Sequence, residues 1–147
     1  MSAAGSVLFV DDDSGWVELL RTAFERAGIP NPVQGVRDGP EAISYLRGEG
    51  PYANRQAHPL PELVLVDLRL QGMDGFEVLQ WIRRQSRLAG LPVVMLTGME
   101  APGDAQRAQE LEATGFLAKP LSFAKLVEMA WQIRDTWLRP VRPLQPR

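Results

Sequence analysis

Four short runs in this chain are apolar at every position rather than at every second one: Val7-Leu8-Phe9-Val10, Leu63-Val64-Leu65-Val66, Pro92-Val93-Val94-Met95-Leu96 and Phe116-Leu117-Ala118. A strand with one face in water alternates. A strand apolar throughout is buried on both faces, as in a parallel sheet covered on each side. Pro32-Val33-Gln34-Gly35-Val36 is a weaker fifth candidate. Helical spacing fills the gaps. Trp16, Leu20, Ala23, Phe24 and Ala27 form one stripe, ended by Gly28; Ala42, Ile43 and Leu46 form a second, and Phe76, Leu79 and Ile82 a third. A fourth helix is expected from about Asp104 to Ala113, with a narrow packing stripe, and a fifth carries Phe123, Leu126, Val127, Ala130, Ile133 and Trp137. Strand and helix thus alternate five times. That predicts an α/β fold with right-handed βαβ crossovers and an open parallel sheet.

Two segments exceed this minimal unit. The connection Glu49–Glu62 contains Pro51, Pro59 and Pro61; loops of this length are uncommon and often functional or mobile. At the end, Pro140, Pro143 and Pro146 stand three apart, which favours an extended, polyproline-like tail over 139–147. One domain over 6–138 followed by that tail is the expected organisation, in keeping with a length of 147 residues.

Composition removes several kinds of chemistry. There is no cysteine, hence no disulfide, thiolate metal site or cysteine nucleophile. His58 is the single histidine, so a multi-imidazole metal site is excluded. Lys and Arg number 16 against 18 Asp and Glu, a balance that argues against nucleic acid or a membrane surface as partner. No apolar run reaches the ~20 residues of a membrane helix, and Met1–Ser6 lacks the basic start and apolar stretch of a secretory signal. A cytoplasmic location is the expectation.

In an open α/β sheet, ligands bind beyond the C-terminal strand ends. Here the strands end in Asp11-Asp12-Asp13, Asp67, Thr97-Gly98 and Lys119-Pro120. Parallel strands would bring these groups to one edge. Carboxylates crowded together either hold protons or bind a cation, and an all-oxygen set suits Mg²⁺. A lysine and a hydroxyl beside them suit a ligand with anionic oxygens. The combination points to phosphoryl transfer, with an Asp carboxylate as acceptor.

These pieces resemble the receiver domain of two-component response regulators. The resemblance rests on Val7-Leu8-Phe9-Val10-Asp11-Asp12, on Leu65-Val66-Asp67-Leu68 with Met73-Asp74-Gly75, on Val94-Met95-Leu96-Thr97-Gly98 and on Gly115-Phe116-Leu117-Ala118-Lys119-Pro120, in family order across about residues 6 to 137. It implies a flavodoxin-like, doubly wound (βα)5 fold with strand order 2-1-3-4-5. It also implies a CheY-like signalling domain that takes a phosphoryl group from a sensor histidine kinase and is not a turnover enzyme. Asp67 would be the phosphoacceptor. Asp11, Asp12, Asp67 and the Arg69 backbone carbonyl would hold Mg²⁺. Thr97 and Lys119 would bind the phosphoryl group, Phe116 would be the aromatic switch, and the Lys119–Pro120 peptide bond would be cis. The signal would leave through a homodimer on the fourth helix, fifth strand and fifth helix, or through a downstream protein target. The loop Gly50-Pro51-Tyr52-Ala53-Asn54, the run Leu91-Pro92-Val93-Val94 and the ending Trp137-Leu138 resemble single-domain regulators paired with bacterial and cyanobacterial phytochromes, which implies a light-sensing kinase partner.

The chain departs from the family pattern at Gln71, where proline is usual, at the large side chains of Arg69 and Met99, and at Phe116, where the switch residue lacks a tyrosine hydroxyl. Large groups at Arg69 and Met99 would slow hydrolysis of the phosphorylated state. Other readings are plainer. Asp13 reads as a helix cap, Asp74-Gly75 as a turn and helix start, His58 as a solvated loop residue, and Arg83, Arg84 and Arg87 as a solvated face. Trp131, one step off its helix stripe, is either a core edge or a protein contact. An aspartyl-phosphate phosphatase would carry a second Asp at position 69, where this chain has Arg69. A nucleotide-binding module would want a glycine-rich turn where Asp11-Asp12-Asp13 stands.

Overall fold

The computed structural model describes residues 4–140. Five strands, β1 (Val7–Val10), β2 (Val33–Val36), β3 (Leu63–Asp67), β4 (Val93–Thr97) and β5 (Gly115–Ala118), alternate with five helices, α1 (Ser14–Arg26), α2 (Gly39–Arg47), α3 (Gly75–Arg84), α4 (Asp104–Glu110) and α5 (Phe123–Trp137). The strands form one parallel sheet in the order β2-β1-β3-β4-β5. This is the flavodoxin-like, doubly wound arrangement expected of the sequence. The chain direction changes sides at β1 and β3, so the crevice between their ends is where a ligand belongs.

The uninterrupted apolar runs of β1, β3 and β4 are explained by two cores, whereas that of β5, at the sheet edge, is only partly buried. One strand face, with Val7, Phe9, Leu63, Leu65, Val94 and Leu96, packs against α1 and α5. The other, with Leu8, Val10, Val64, Val66, Val93 and Met95, packs against α2 and α3. The helices begin where side chains accept otherwise unpaired backbone N–H groups: Asp13 for α1, Asp38 for α2, Asp74 for α3 and Ser122 for α5. The helix α4 is the exception, with Gly103 before it and seven residues in all, in keeping with the sparse apolar pattern there.

The connection 49–62 is tied down rather than loose. The guanidinium of Arg55 donates to the carbonyls of Tyr45 and Leu46 at the end of α2, at 2.7 and 2.8 Å, and to that of His58 at 3.0 Å. His58 is half-buried and not the solvated residue expected: its ring stands edge-on to Tyr45 and Tyr52, with centroids 5.9 and 5.1 Å away. The basic cluster is also only partly solvated. Arg83 bonds the carbonyls of Glu112 and Leu91 at 2.9 and 2.8 Å, and Arg87 that of Leu46 at 3.2 Å. Trp131 donates its indole N–H to the Ala27 carbonyl at the end of α1, at 3.2 Å, while remaining 42% exposed. Of the proline-spaced tail, Arg139 and Pro140 are exposed; 141–147 lie outside the described residues.

Candidate functional site

Strand register brings the predicted residues together. Val10 pairs with Val66, Asp67 with Leu96, and Thr97 with Ala118, so the residues at each strand end meet at one edge of the sheet. The helix α3 starts close by. Its Gly75 has no room for a side chain, since a Cβ would lie 2.5 Å from the Asp67 carbonyl oxygen. Glycine there lets the first turn of α3 sit directly on the end of β3.

One carboxylate oxygen from each of Asp11, Asp12 and Asp67 lies within 4.8 Å of the others. Asp11 and Asp67 are buried and Asp12 is exposed. Burial pushes the Asp11 carboxyl above its ordinary value of 3.8, while a hydrogen bond from Lys119 pulls it back. The Lys119 ammonium reaches into this cluster, 2.7 Å from Asp11 Oδ2 and 3.2 Å from Asp67 Oδ2, with its side chain 8% exposed. Three carboxylates facing one ammonium leave negative charge unbalanced at a buried edge. A divalent, oxygen-preferring cation would offset it, so the donor set fits Mg²⁺.

The remaining side chains divide. Asp13 is outside the cluster and caps α1, accepting from the Gly15 N–H at 2.8 Å, and Asp74 caps α3, accepting from Glu77 N–H at 3.0 Å; both act as the plainer readings expected. Thr97 is buried at the end of β4, its hydroxyl donating to the Met99 carbonyl at 2.9 Å. Phe116 is half-buried on β5 against the α2/α3 core. The Arg69 N–H donates to Asp67 Oδ1 at 3.1 Å.

The expected cis bond between Lys119 and Pro120 is corrected: the described residues contain no cis peptide. Trans is the lower-energy form even before proline, by ~0.5–1 kcal/mol. The lysine reaches both carboxylates from it. Sequence reasoning also missed Asp104, the buried first residue of α4, which receives the Arg69 guanidinium. In sequence it reads as an ordinary helix-start acid. The Trp16 ring, over the Lys119 ammonium, reads in sequence only as part of a packing stripe.

Residues 7–130 match the family described as the response regulator receiver domain. The chain is 40% identical over 133 residues to the probable methanogenesis regulatory protein FilR2 of Methanothrix harundinacea, covering 90% of this chain and 83% of that protein. It is 32% identical over 135 residues to the response regulator Rcp1 of Synechocystis, covering 92% and 90%. The Mn(2+)-bound crystal structure of Rcp1 superposes with a TM-score of 0.79 at 30% identity, covering 96% of this chain and 99% of that one. The phosphorylated cyanobacterial phytochrome response regulator RcpA superposes with a TM-score of 0.82 at 32% identity, covering 92% and 94%.

Proposed function

The chain belongs to the response regulator receiver family, and from that premise we propose that Asp67 accepts a phosphoryl group from the phosphohistidine of a sensor kinase in the presence of Mg²⁺. The observation that carries this reading is the single ammonium of Lys119 shared by Asp11 and Asp67, with Asp12 beside them.

A carboxylate oxygen of Asp67 forms the new O–P bond as the donor's N–P bond breaks and the electron pair stays with the leaving imidazole. Asp11, Asp12, Asp67 and the Arg69 carbonyl would hold Mg²⁺, which would neutralise charge on the phosphoryl oxygens. Lys119 moves from the carboxylates to a phosphoryl oxygen. Thr97 exchanges its bond to Met99 for one to another oxygen, and Phe116 follows it inward. The added charge thereby biases a two-state surface.

That surface is read by protein contact on α4, β5 and α5, in a homodimer or a target. Supporting this, β5 is an edge strand whose four residues are all at least partly exposed, and a parallel edge left open invites a partner. The donor is a phytochrome-type kinase. Supporting that, RcpA, among the similar structures, is described as a phytochrome response regulator. The receiver unit is the domain over 6–138, and it catalyses only its own phosphorylation and dephosphorylation.

Incubation with a small acyl phosphate, with and without Mg²⁺, followed by intact mass and gel filtration, tests the reading. Wild type gains one phosphoryl group only with Mg²⁺, Asp67→Asn gains none, and the elution volume shifts with uptake. Turnover of the acyl phosphate far beyond one equivalent, or uptake by Asp67→Asn, would instead indicate a phosphatase or another acceptor.

A further inference from the structure

Lys119 is almost closed off from solvent, yet two carboxylates do not use all of its three N–H donors. Among the described residues an aromatic ring also faces it. The Nζ atom lies 4.9 Å from the centroid of the Trp16 ring, inside the range in which a cation is drawn to an indole face. The stem of the lysine runs past Gly98, where a Cβ would lie 3.9 Å from Cδ. The ammonium therefore has Asp11, Asp67 and the Trp16 ring around it.

The acidic run itself sets the tryptophan there. Asp13 caps α1, its backbone carbonyl accepting from the Trp16 N–H at 3.1 Å. The same turn that ends β1 with Asp11 thus carries Trp16, the third residue of α1, back over the strand ends. The ring is half-buried and its apolar side also packs on the α1/α5 core. Plain packing needs only apolar volume at this position. The contact with Lys119 needs a π face.

We propose that Trp16 is a positioning residue for phosphoryl transfer, its indole face holding the Lys119 ammonium at the acceptor while leaving it free to change partners. The inference rests on the phosphoacceptor reading of Asp67. Its logic is directional. A hydrogen bond from a third oxygen would fix the ammonium in one orientation, and a water would compete with the incoming phosphoryl oxygen. A π face attracts the cation across a broad range of orientations. Lys119 can leave a carboxylate for the phosphoryl group and keep this contact throughout, in a pocket kept dry on that side.

The experiment compares the rate of phosphorylation by a small acyl phosphate with Mg²⁺ across substitutions at position 16. Trp16→Phe keeps a ring face and stays within about twofold of wild type, whereas Trp16→Leu keeps apolar volume and falls about three- to tenfold, the size of a lost cation–π contact. Pentafluorophenylalanine introduced at position 16 by nonsense suppression has the shape of phenylalanine with the ring's charge distribution reversed. It falls at least as far as the leucine variant while the thermal midpoint stays with that of Trp16→Phe. Beryllofluoride, a phosphoryl analogue, gives a second readout. Subtracting the Trp16→Phe emission from that of wild type isolates an indole signal that changes when the analogue binds. The proposal is overturned if Trp16→Leu reacts at the wild-type rate, or if the pentafluoro ring matches phenylalanine. An unreactive wild type would reject the phosphoacceptor reading instead, which keeps the two failures apart.

Discussion

Arg69, two residues past the acceptor, runs from the end of β3 to the first residue of α4, its Nη2 atom 2.5 Å from Asp104 Oδ2. The same Asp104 oxygen accepts the Ala101 N–H at 2.8 Å, so one buried carboxylate fastens the β4–α4 loop to the β3–α3 loop. The Arg69 backbone is meanwhile bonded to Asp67. The long side chain thus spans the rim beside the acceptor.

A rim spanned in this way slows the approach of water to a phosphoryl group on Asp67. Arg69→Asn, too short to reach Asp104, shortens the phosphorylated lifetime several-fold, measured as decay of the phosphorylated mass after the donor is removed. Met99 is 80% exposed. Of the two large residues expected to shield it, Arg69 is the one held across the rim, by its ion pair with Asp104, and Met99→Ala leaves the lifetime unchanged. Equal lifetimes for wild type and Arg69→Asn would remove this account.

Asp104→Asn weakens the fastening between the loops. The guanidinium is half-exposed, so its share is reduced by solvent, and most of the loss comes from a poorer acceptor for Ala101. We expect a cost of ~1 kcal/mol in denaturant unfolding. Faster amide exchange at Ala101 and the first turn of α4 should accompany it.

Asp12 brings a third like charge to the cluster without a hydrogen bond to the described residues that would offset it. Asp12→Asn therefore raises the thermal midpoint by a few degrees in chelator, where no cation relieves the repulsion. Mg²⁺ stabilises wild type through linkage and stabilises the variant less. Thermal unfolding of both proteins with and without Mg²⁺ checks the crossing.

How far the site could be read in advance follows from which interactions are local. Unbroken apolar runs mark β1, β3, β4 and β5, and the weaker Val33–Val36 is β2 because only its ends are buried, with Gln34 half-buried and Gly35 exposed. Asp11, Asp67 and Lys119 were legible because strand ends in a parallel sheet must converge. Asp104, Trp16 and His58 were not. Each has an ordinary local role, as a helix-start acid, a stripe residue and a polar loop residue, and acquires its second one only when the chain folds back on itself. Arg83 likewise sits in what reads as a solvated basic run, but the chain returns near Leu91 and Glu112 to offer it carbonyls.

The loop 49–62 yields a stability prediction. Arg55 is the only side chain reaching both the end of α2 and the loop's own His58 carbonyl among the hydrogen bonds of the described residues. Arg55→Ala costs ~2 kcal/mol, read as a lower denaturant midpoint, and leaves phosphorylation of Asp67 at the wild-type rate.

The same region sets a pH dependence. Burial, followed by the Glu41 carboxylate that accepts its hydroxyl at 2.6 Å, pushes Tyr52 up to about 12. Burial also raises Tyr45, which donates to the Pro59 carbonyl at 3.0 Å. The unfolded chain releases both protons near pH ~10. In the window above that value the folded state binds more protons, so the stability these hydroxyls confer is complete below pH ~10 and is lost as pH rises toward about 12. With only two tyrosines in the chain, tyrosinate absorbance resolves this directly: no wave centred on the ordinary value precedes unfolding.

The account turns on Asp67 as the atom donor to the new bond, with Asp11 and Asp12 serving the cation. Borohydride reduction of the phosphorylated protein converts an acyl phosphate to an alcohol and marks the modified side chain in a peptide map. The account predicts homoserine at position 67 alone, and only when Mg²⁺ was present during phosphorylation. Homoserine at position 11 or 12, or the same yield at position 67 in chelator, would contradict it.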